Sequence, residues 1–464
     1  MIIKNLLSSL IYLVTSYETL IFLFFLFFIA VLHKAILKFS FNQINMTYLY
    51  LLGSIVFISI SFLPYFINYH SKYFGDFYYF QNPNVLRDSL FYFYGDTFGD
   101  AFKVIYSYDH IFNEDKIIYF TNLYNGNPFL NPIPNTELNY NLHTLPFPTV
   151  VFHLFAFVIN LLEFPHPYFV IVWYFIYLVL VVKIFTLIRK TNIKYSNIYI
   201  ILSLFSYPVL FLVQRGNFLA GYAFQLIILT YVSVFYEKEF NLKTMIFLTL
   251  ALSIRPNYFF LIPVFFMNKP AKIKIKSLFK VLLIFLTTNF IFIKIANLMY
   301  DDYSFSNMMV GFRYVRDFHL LTGDGFDSSV FRVVQRLFNP SNLLFTYNTI
   351  FLIGFLIVVY LIFDQKIEAK LKVFLYVLSS LVFSFPIADY HLPVLIFIIL
   401  FNGFEGENPK LDTFLFFLVL IILFPIPHLF LWTFPSYSNM LNVAIYFYVL
   451  FISLNKNCYK NLLN

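Results

Sequence analysis

Charge is what this chain has least of. Only 12% of its 464 residues are Asp, Glu, Lys or Arg, against 60% hydrophobic residues and a mean hydropathy of +0.77. A water-soluble domain cannot be built from that composition, which belongs to a chain crossing a membrane several times. Cysteine is nearly absent as well: Cys458, in the polar tail, is the only one. Neither a disulfide framework nor a cysteine-based metal site is therefore available. Missing too are a phosphate-cradling glycine loop, a His-Glu-x-x-His zinc pair and a dinucleotide fingerprint, so nucleotide-driven chemistry on the inner side is not expected. Met1 to Ser40 carries no small-residue cleavage site after its apolar run, and the first helix is expected to be retained. No internal repeat in the hydropathy pattern marks the two halves of a transporter.

What the chain does have is apolar runs of about 20 residues, the length that crosses a hydrocarbon core of roughly 30 Å. The clear ones are Leu20 to Ile36, Tyr48 to Ile67, Tyr168 to Ile188, Ile198 to Val213, Leu219 to Tyr236, Val281 to Leu298, Leu344 to Phe363, Phe414 to Trp432 and Asn442 to Leu454. The fold predicted is an all-α polytopic bundle of about 11 to 13 membrane segments in one integral domain, residues 1 to 464. The 67 Phe and 37 Tyr are spread over spans and loops alike, with Ile, Lys and Asn, and read as background bias rather than as a stacking platform.

Lys and Arg in short loops stay on the cytoplasmic side. The acid-free tract of Lys269, Lys272, Lys274, Lys276 and Lys280 is the strongest marker, followed by Lys366, Lys370 and Lys372, the tail pair Lys456 and Lys460, and Lys34 with Lys38. Walking outward from these places two loops, 69–147 and 299–343, in one extracytoplasmic compartment of a plasma or inner membrane. The net charge of +8 is thus accounted for by bilayer topology and requires no nucleic acid. One parity conflict remains. If Thr149 to Leu162 crosses, Arg189, Lys190 and Lys194 fall outside, against the rule. Fourteen helical residues span only about 21 Å, and residues 244–267 are interrupted by Arg255 and Pro256, so that region reads as one broken helix or a re-entrant pair. Irregular backbone at membrane depth needs protein or a water-filled cavity around it.

The first outer loop gathers eight acids: Asp76, Asp88, Asp96, Asp100, Asp109, Glu114, Asp115 and Glu137. Asp100, in Gly95 to Tyr106, is the candidate general base on an acceptor hydroxyl. The plainer reading is that Asp96 and Asp100 cap a short helix. Four other sets carry polar groups. Arg215 and Asn217 sit between two spans, and Arg255 interrupts another; an ionisable group at that depth marks a site or pathway by default, although Arg215 also suits snorkelling to headgroups. Asp389 and His391 share one turn, where they either line a site or satisfy each other. Arg332 and Arg336, four apart on one helical face, suit a phosphate or lipid headgroups equally.

In order, these pieces resemble the polyprenyl-phosphate-sugar-dependent glycosyltransferases of family 87, the mannosyltransferase-like group with the multispanning C-type fold. The resemblance runs from about residue 90 to 400 and rests on Gly99-Asp100-Ala101-Phe102, His143 to Pro148, Arg215-Gly216-Asn217, Ile254-Arg255-Pro256, Asp327-Ser328-Ser329 with Arg336, and Ser384-Phe385-Pro386 with His391. Arg255 stands where that family usually has Lys, Asp327 where Asn is common, and His143-Thr144-Leu145-Pro146 where Tyr-Pro-Pro is usual. The resemblance implies inverting transfer of one hexose from a polyprenyl-phosphate carrier to a lipid-linked or glycan acceptor, without an organic cofactor and with a divalent cation left open. Asp100 would be the base, Arg255, Arg332 or Arg336 would neutralise the leaving phosphate, and Asp389, His391, Arg215, Asn217 and Asp96 would bind substrate. Two other activities use the same outer charges: a lipid-linked oligosaccharide polymerase or ligase, and a transporter or flippase of lipid-linked sugars.

Overall fold

The computed structural model describes residues 17–38, 146–148, 150–151, 166–191, 196–206, 217–237, 241–267, 271–299, 329–338, 340–364, 366–384, 389–404, 408–423 and 435–455, with isolated positions between them. Every element among these is helical: α1 (Tyr17–Lys38), α2 (His166–Lys190), α3 (Ser196–Phe205), α4 (Phe218–Glu237), α5 (Leu242–Ile254), a 3₁₀ segment (Pro256–Phe266), α6 (Ala271–Met299), α7 (Val330–Phe338), α8 (Leu343–Phe363), α9 (Ala369–Val382), a second 3₁₀ segment (Asp389–Leu395), α10 (Ile396–Phe404), α11 (Pro409–Leu423) and α12 (Pro435–Leu454). Among the described residues three helical stretches, Val172–Lys190, Ile275–Leu298 and Leu343–Phe363, are long and apolar enough to cross a membrane. Their outer surfaces fit that environment: Phe175, Phe290 and Phe345 are 63%, 59% and 68% exposed. A face that apolar is stable against lipid, not water.

The chain sets its own helix ends. Asn342 accepts from the Phe345 N–H at 3.0 Å and starts α8, while Asn241 accepts from Thr244 N–H at 3.0 Å and starts α5; each satisfies one of the orphan donors of a first turn. The run expected from Ile198 to Val213 is helical from Ser196 to Phe205 and again at Pro208, Val209 and Leu212, and that from Phe414 to Trp432 is helical from Pro409 to Leu423. The span Tyr48 to Ile67 and nearly all of the 69–147 loop lie outside the described residues, as does most of 299–343.

Contacts sort the bundle into two ends. On α2 and α4, Trp173 packs on Phe218 while its carbonyl accepts from the Tyr222 hydroxyl, and four residues further on Tyr177 pairs with Gln225. The two helices therefore run parallel. α5 returns along α4, since Arg255 beyond its last turn meets Asn217 just before α4 begins. The break itself follows from Pro256, which brings no N–H and drives the preceding residue out of the α region; Arg255 sits at φ −134°, ψ 89°. After it the chain turns back. Asn257 reaches the Ser380 carbonyl two residues before the end of α9, and the 3₁₀ segment beyond it packs along α9, so with little of α9 left past Ser380 it runs back towards the α9 start. Residues 242–267 thus form a re-entrant pair with Arg255 at its apex, the second of the two readings the sequence allows. Because that pair begins and ends on one side, Arg189 and Lys190 come to lie at the same end as Met267 and the start of α6.

That basic end carries a buried ion pair. Lys370 on α9 and Asp412 on α11 meet at 2.5 Å, each with 2% of its side chain exposed. Lys372, 9% exposed, donates to the Asp364 carbonyl, and His33 of α1 bonds the Tyr448 hydroxyl at 2.8 Å while packing on Phe414. Lys370 and Lys372, read from the sequence as markers of the cytoplasmic side, are therefore buried. Lys370→Met leaves the Asp412 carboxylate buried without its counter-charge and is expected to cost about 3–5 kcal/mol, whereas the double variant with Asp412→Leu recovers most of it; thermal unfolding in detergent reads both. Equal destabilisation by single and double variants would contradict this. Further along, Gly354 lets α8 approach α9 closely, for a Cβ there would stand 2.3 Å from Phe383 Cγ.

Candidate functional site

The opposite end collects the described polar residues singled out in the sequence. At its centre the Arg255 guanidinium donates from Nη2 to Asn217 Oδ1 at 3.1 Å. Asn217 is itself fixed by backbone bonds, its N–H to the Leu212 carbonyl at 3.0 Å and its carbonyl from Ala220 N–H at 3.1 Å. The apex is held on its other sides too. Asn257 Nδ2 donates to the Ser380 carbonyl of α9 at 2.9 Å, and Asn289 Nδ2 donates to Ser253 Oγ at 3.0 Å. A partly buried cation is thus clamped at the point where a helix stops and a 3₁₀ segment begins, with the first turn of α4 beside it. Fixed geometry of this kind lets a positive charge act without reorganising.

His391 lies on the Asp389–Leu395 segment, which follows the end of α9 and packs on α4, α9, α10 and α11. Its side chain is 4% exposed, and Ser384 at 8% lies just before it. The backbone of Asp389 belongs to the same segment; its side chain is outside the described residues.

Arg332 and Arg336 ride on α7, which packs on α1, α8 and α12 rather than directly on the Arg255 apex. One face of α8 joins the two regions: Phe331 meets Tyr347 at 6.1 Å, and one turn on Phe351 meets Phe260 at 5.7 Å. The two arginines are not equivalent. Arg332 is 6% exposed and its guanidinium donates to Gln335, while Arg336 is partly buried. Burial removes Arg332 from a surface where headgroups would bind it. Asp96, Asp100 and Arg215 lie outside the described residues.

Sequence reading missed Tyr258, Asn289 and Ser380, all at the apex. Asn289 and Ser380 sit inside long apolar helices and contribute through one bond each, with no local signal. Tyr258 does carry one, since it stands three residues past Arg255. Among the described residues no group of three or more His, Cys, Asp or Glu is placed to hold a metal ion.

No family model, no curated protein and no solved structure matches this chain.

Proposed function

We propose that the chain is a membrane glycosyltransferase that moves one hexose, mannose or similar, from a polyprenyl-phosphate carrier to a lipid-linked or glycan acceptor at the extracytoplasmic face. The observation that carries this reading is the Arg255 guanidinium, held by Asn217 at the apex of a re-entrant pair in a bundle otherwise made for lipid. An arginine at that depth has a function by default. Orientation supports it as well: the basic loops gather at the end away from Arg255, so the positive-inside rule turns the apex outward, in a bundle of about 11 to 13 membrane segments.

Asp100 takes the proton of the acceptor hydroxyl as its oxygen forms the new bond to the anomeric carbon from the face opposite the carrier. The bond from that carbon to the phosphate oxygen breaks, its electron pair stays on the oxygen, and the carrier leaves with a second negative charge. Arg255 stabilises the charge that appears in this step, and His391 and Arg336 line the same end. In this reading the large loop 69–147 brings Asp100 over the apex.

A transporter of lipid-linked sugars has one observation in its favour, because broken helices at a central site are also how transporters bind ions and substrates. Mass spectrometry of products made by purified protein from a defined polyprenyl-phosphate hexose decides among the readings. Addition of one sugar supports the transferase, transfer of a block supports a polymerase or ligase, and an unchanged donor moved between leaflets supports the transporter.

A further inference from the structure

The Pro256–Phe266 segment is a 3₁₀ helix, with about three residues per turn, so side chains three apart stand over one another. Tyr258 N–H bonds the Arg255 carbonyl at 3.1 Å and closes the first such turn. The neighbours after Arg255 are turned elsewhere, Asn257 to α9, Phe259 to α6 and Phe260 to α8. Among Asn257 to Phe260, Tyr258 is the side chain that these contacts leave on the Arg255 side of the segment. The side chain is 0% exposed, and its hydroxyl has no hydrogen-bond partner among the described residues. Three buried tyrosines of the bundle do have one: Tyr177 bonds the Ser203 carbonyl, Tyr199 bonds Gln225 and Tyr446 pairs with Ser379. A buried serine or threonine can turn back to its own helix. A tyrosine hydroxyl cannot, and leaving it without a partner is unfavourable.

We infer that Tyr258 and Arg255 form one anion subsite, in which the phenolic hydroxyl and the guanidinium donate together to the oxygens of a phosphate monoester on a lipid chain. This deepens the reading of the apex as the place where the carrier phosphate departs, and rests on it for the identity of the lipid. The hydroxyl supplies what the guanidinium lacks, a neutral donor aimed from a dry side of the site, so the second negative charge on the departing phosphate is met from two directions.

The test uses the full-length protein purified in detergent, with farnesyl phosphate, farnesol and inorganic phosphate as probes. Wild type is expected to bind farnesyl phosphate and to ignore farnesol. Tyr258→Phe is expected to weaken farnesyl phosphate binding by about tenfold or more, the usual worth of a hydrogen bond to a charged group. The same variant is expected to melt, without ligand, at or above the wild-type temperature, because it removes a hydroxyl that the fold leaves unpaired. Wild-type binding by Tyr258→Phe, a lower melting temperature of that variant, or a wild type that binds neither farnesyl phosphate nor inorganic phosphate overturns the subsite. The two readings separate cleanly. Tyr258-dependent phosphate binding in a protein that transfers no sugar keeps the subsite and removes the transferase; sugar transfer with Tyr258-independent binding does the reverse.

Discussion

Asp100→Asn is expected to lower sugar transfer by about 10²–10⁴-fold, the range a general base contributes, with insertion and melting temperature unchanged. The choice of asparagine separates the two roles open to this residue. Asn caps a helix start as well as Asp does, so a capping Asp100 would tolerate the change and keep its activity. A base would not, for the amide matches the carboxylate in shape but accepts no proton at working pH. Turnover near wild type in the Asn variant removes Asp100 from the chemistry.

Arg255→Gln is expected to reduce turnover by about 10²–10³-fold, the loss seen when one preorganised charge stabiliser is removed. Glutamine keeps an N–H donor for Asn217, so the bond across the break has a replacement while the charge does not. The loss should appear in kcat more than in KM, since the second negative charge on the phosphate develops only as the bond to the sugar breaks. Arg255→Lys restores charge without the planar fork and is expected to retain more activity than Gln. If Gln and Lys variants lose melting temperature and turnover in proportion, Arg255 is a structural clamp only.

Much of this arrangement is written locally in the chain, and its limits are instructive. The helix expected at Leu344 to Phe363 appears at Leu343–Phe363, because an unbroken apolar run bounded by Asn342 and Asp364 leaves little choice. The interruption at Arg255 is equally local, a consequence of Pro256. Whether the chain kinks there or turns back is not local, since that depends on α9, where Asn257 meets Ser380 and along which the 3₁₀ segment packs. Asn217 and Arg255 each stood out as polar groups in apolar surroundings, but their pairing across 38 residues is a property of the α4–α5 hairpin. Lys370 shows the opposite failure. Its tract reads as a cytoplasmic marker, and only Asp412, 42 residues on, explains its burial. Tyr258 escaped because its three-residue spacing from Arg255 matters only in a 3₁₀ winding, for which Pro263 inside the segment, unable to join an α-helical ladder, was the available local mark. Arg332 and Arg336 were correctly grouped on one helix, yet only packing reveals that Arg332 faces inward.

Sugar transfer and release of the carrier phosphate are proposed to be one event at the Arg255 apex. The most direct measurement counts both in the same reaction: purified protein, a polyprenyl-phosphate hexose labelled in sugar and lipid, and acceptor, with free polyprenyl phosphate and acceptor-bound sugar quantified over time. One carrier phosphate is expected to be released per sugar bound, with both slowed together by Arg255→Gln. Donor that crosses the bilayer intact, or carrier released with no sugar on the acceptor, contradicts it.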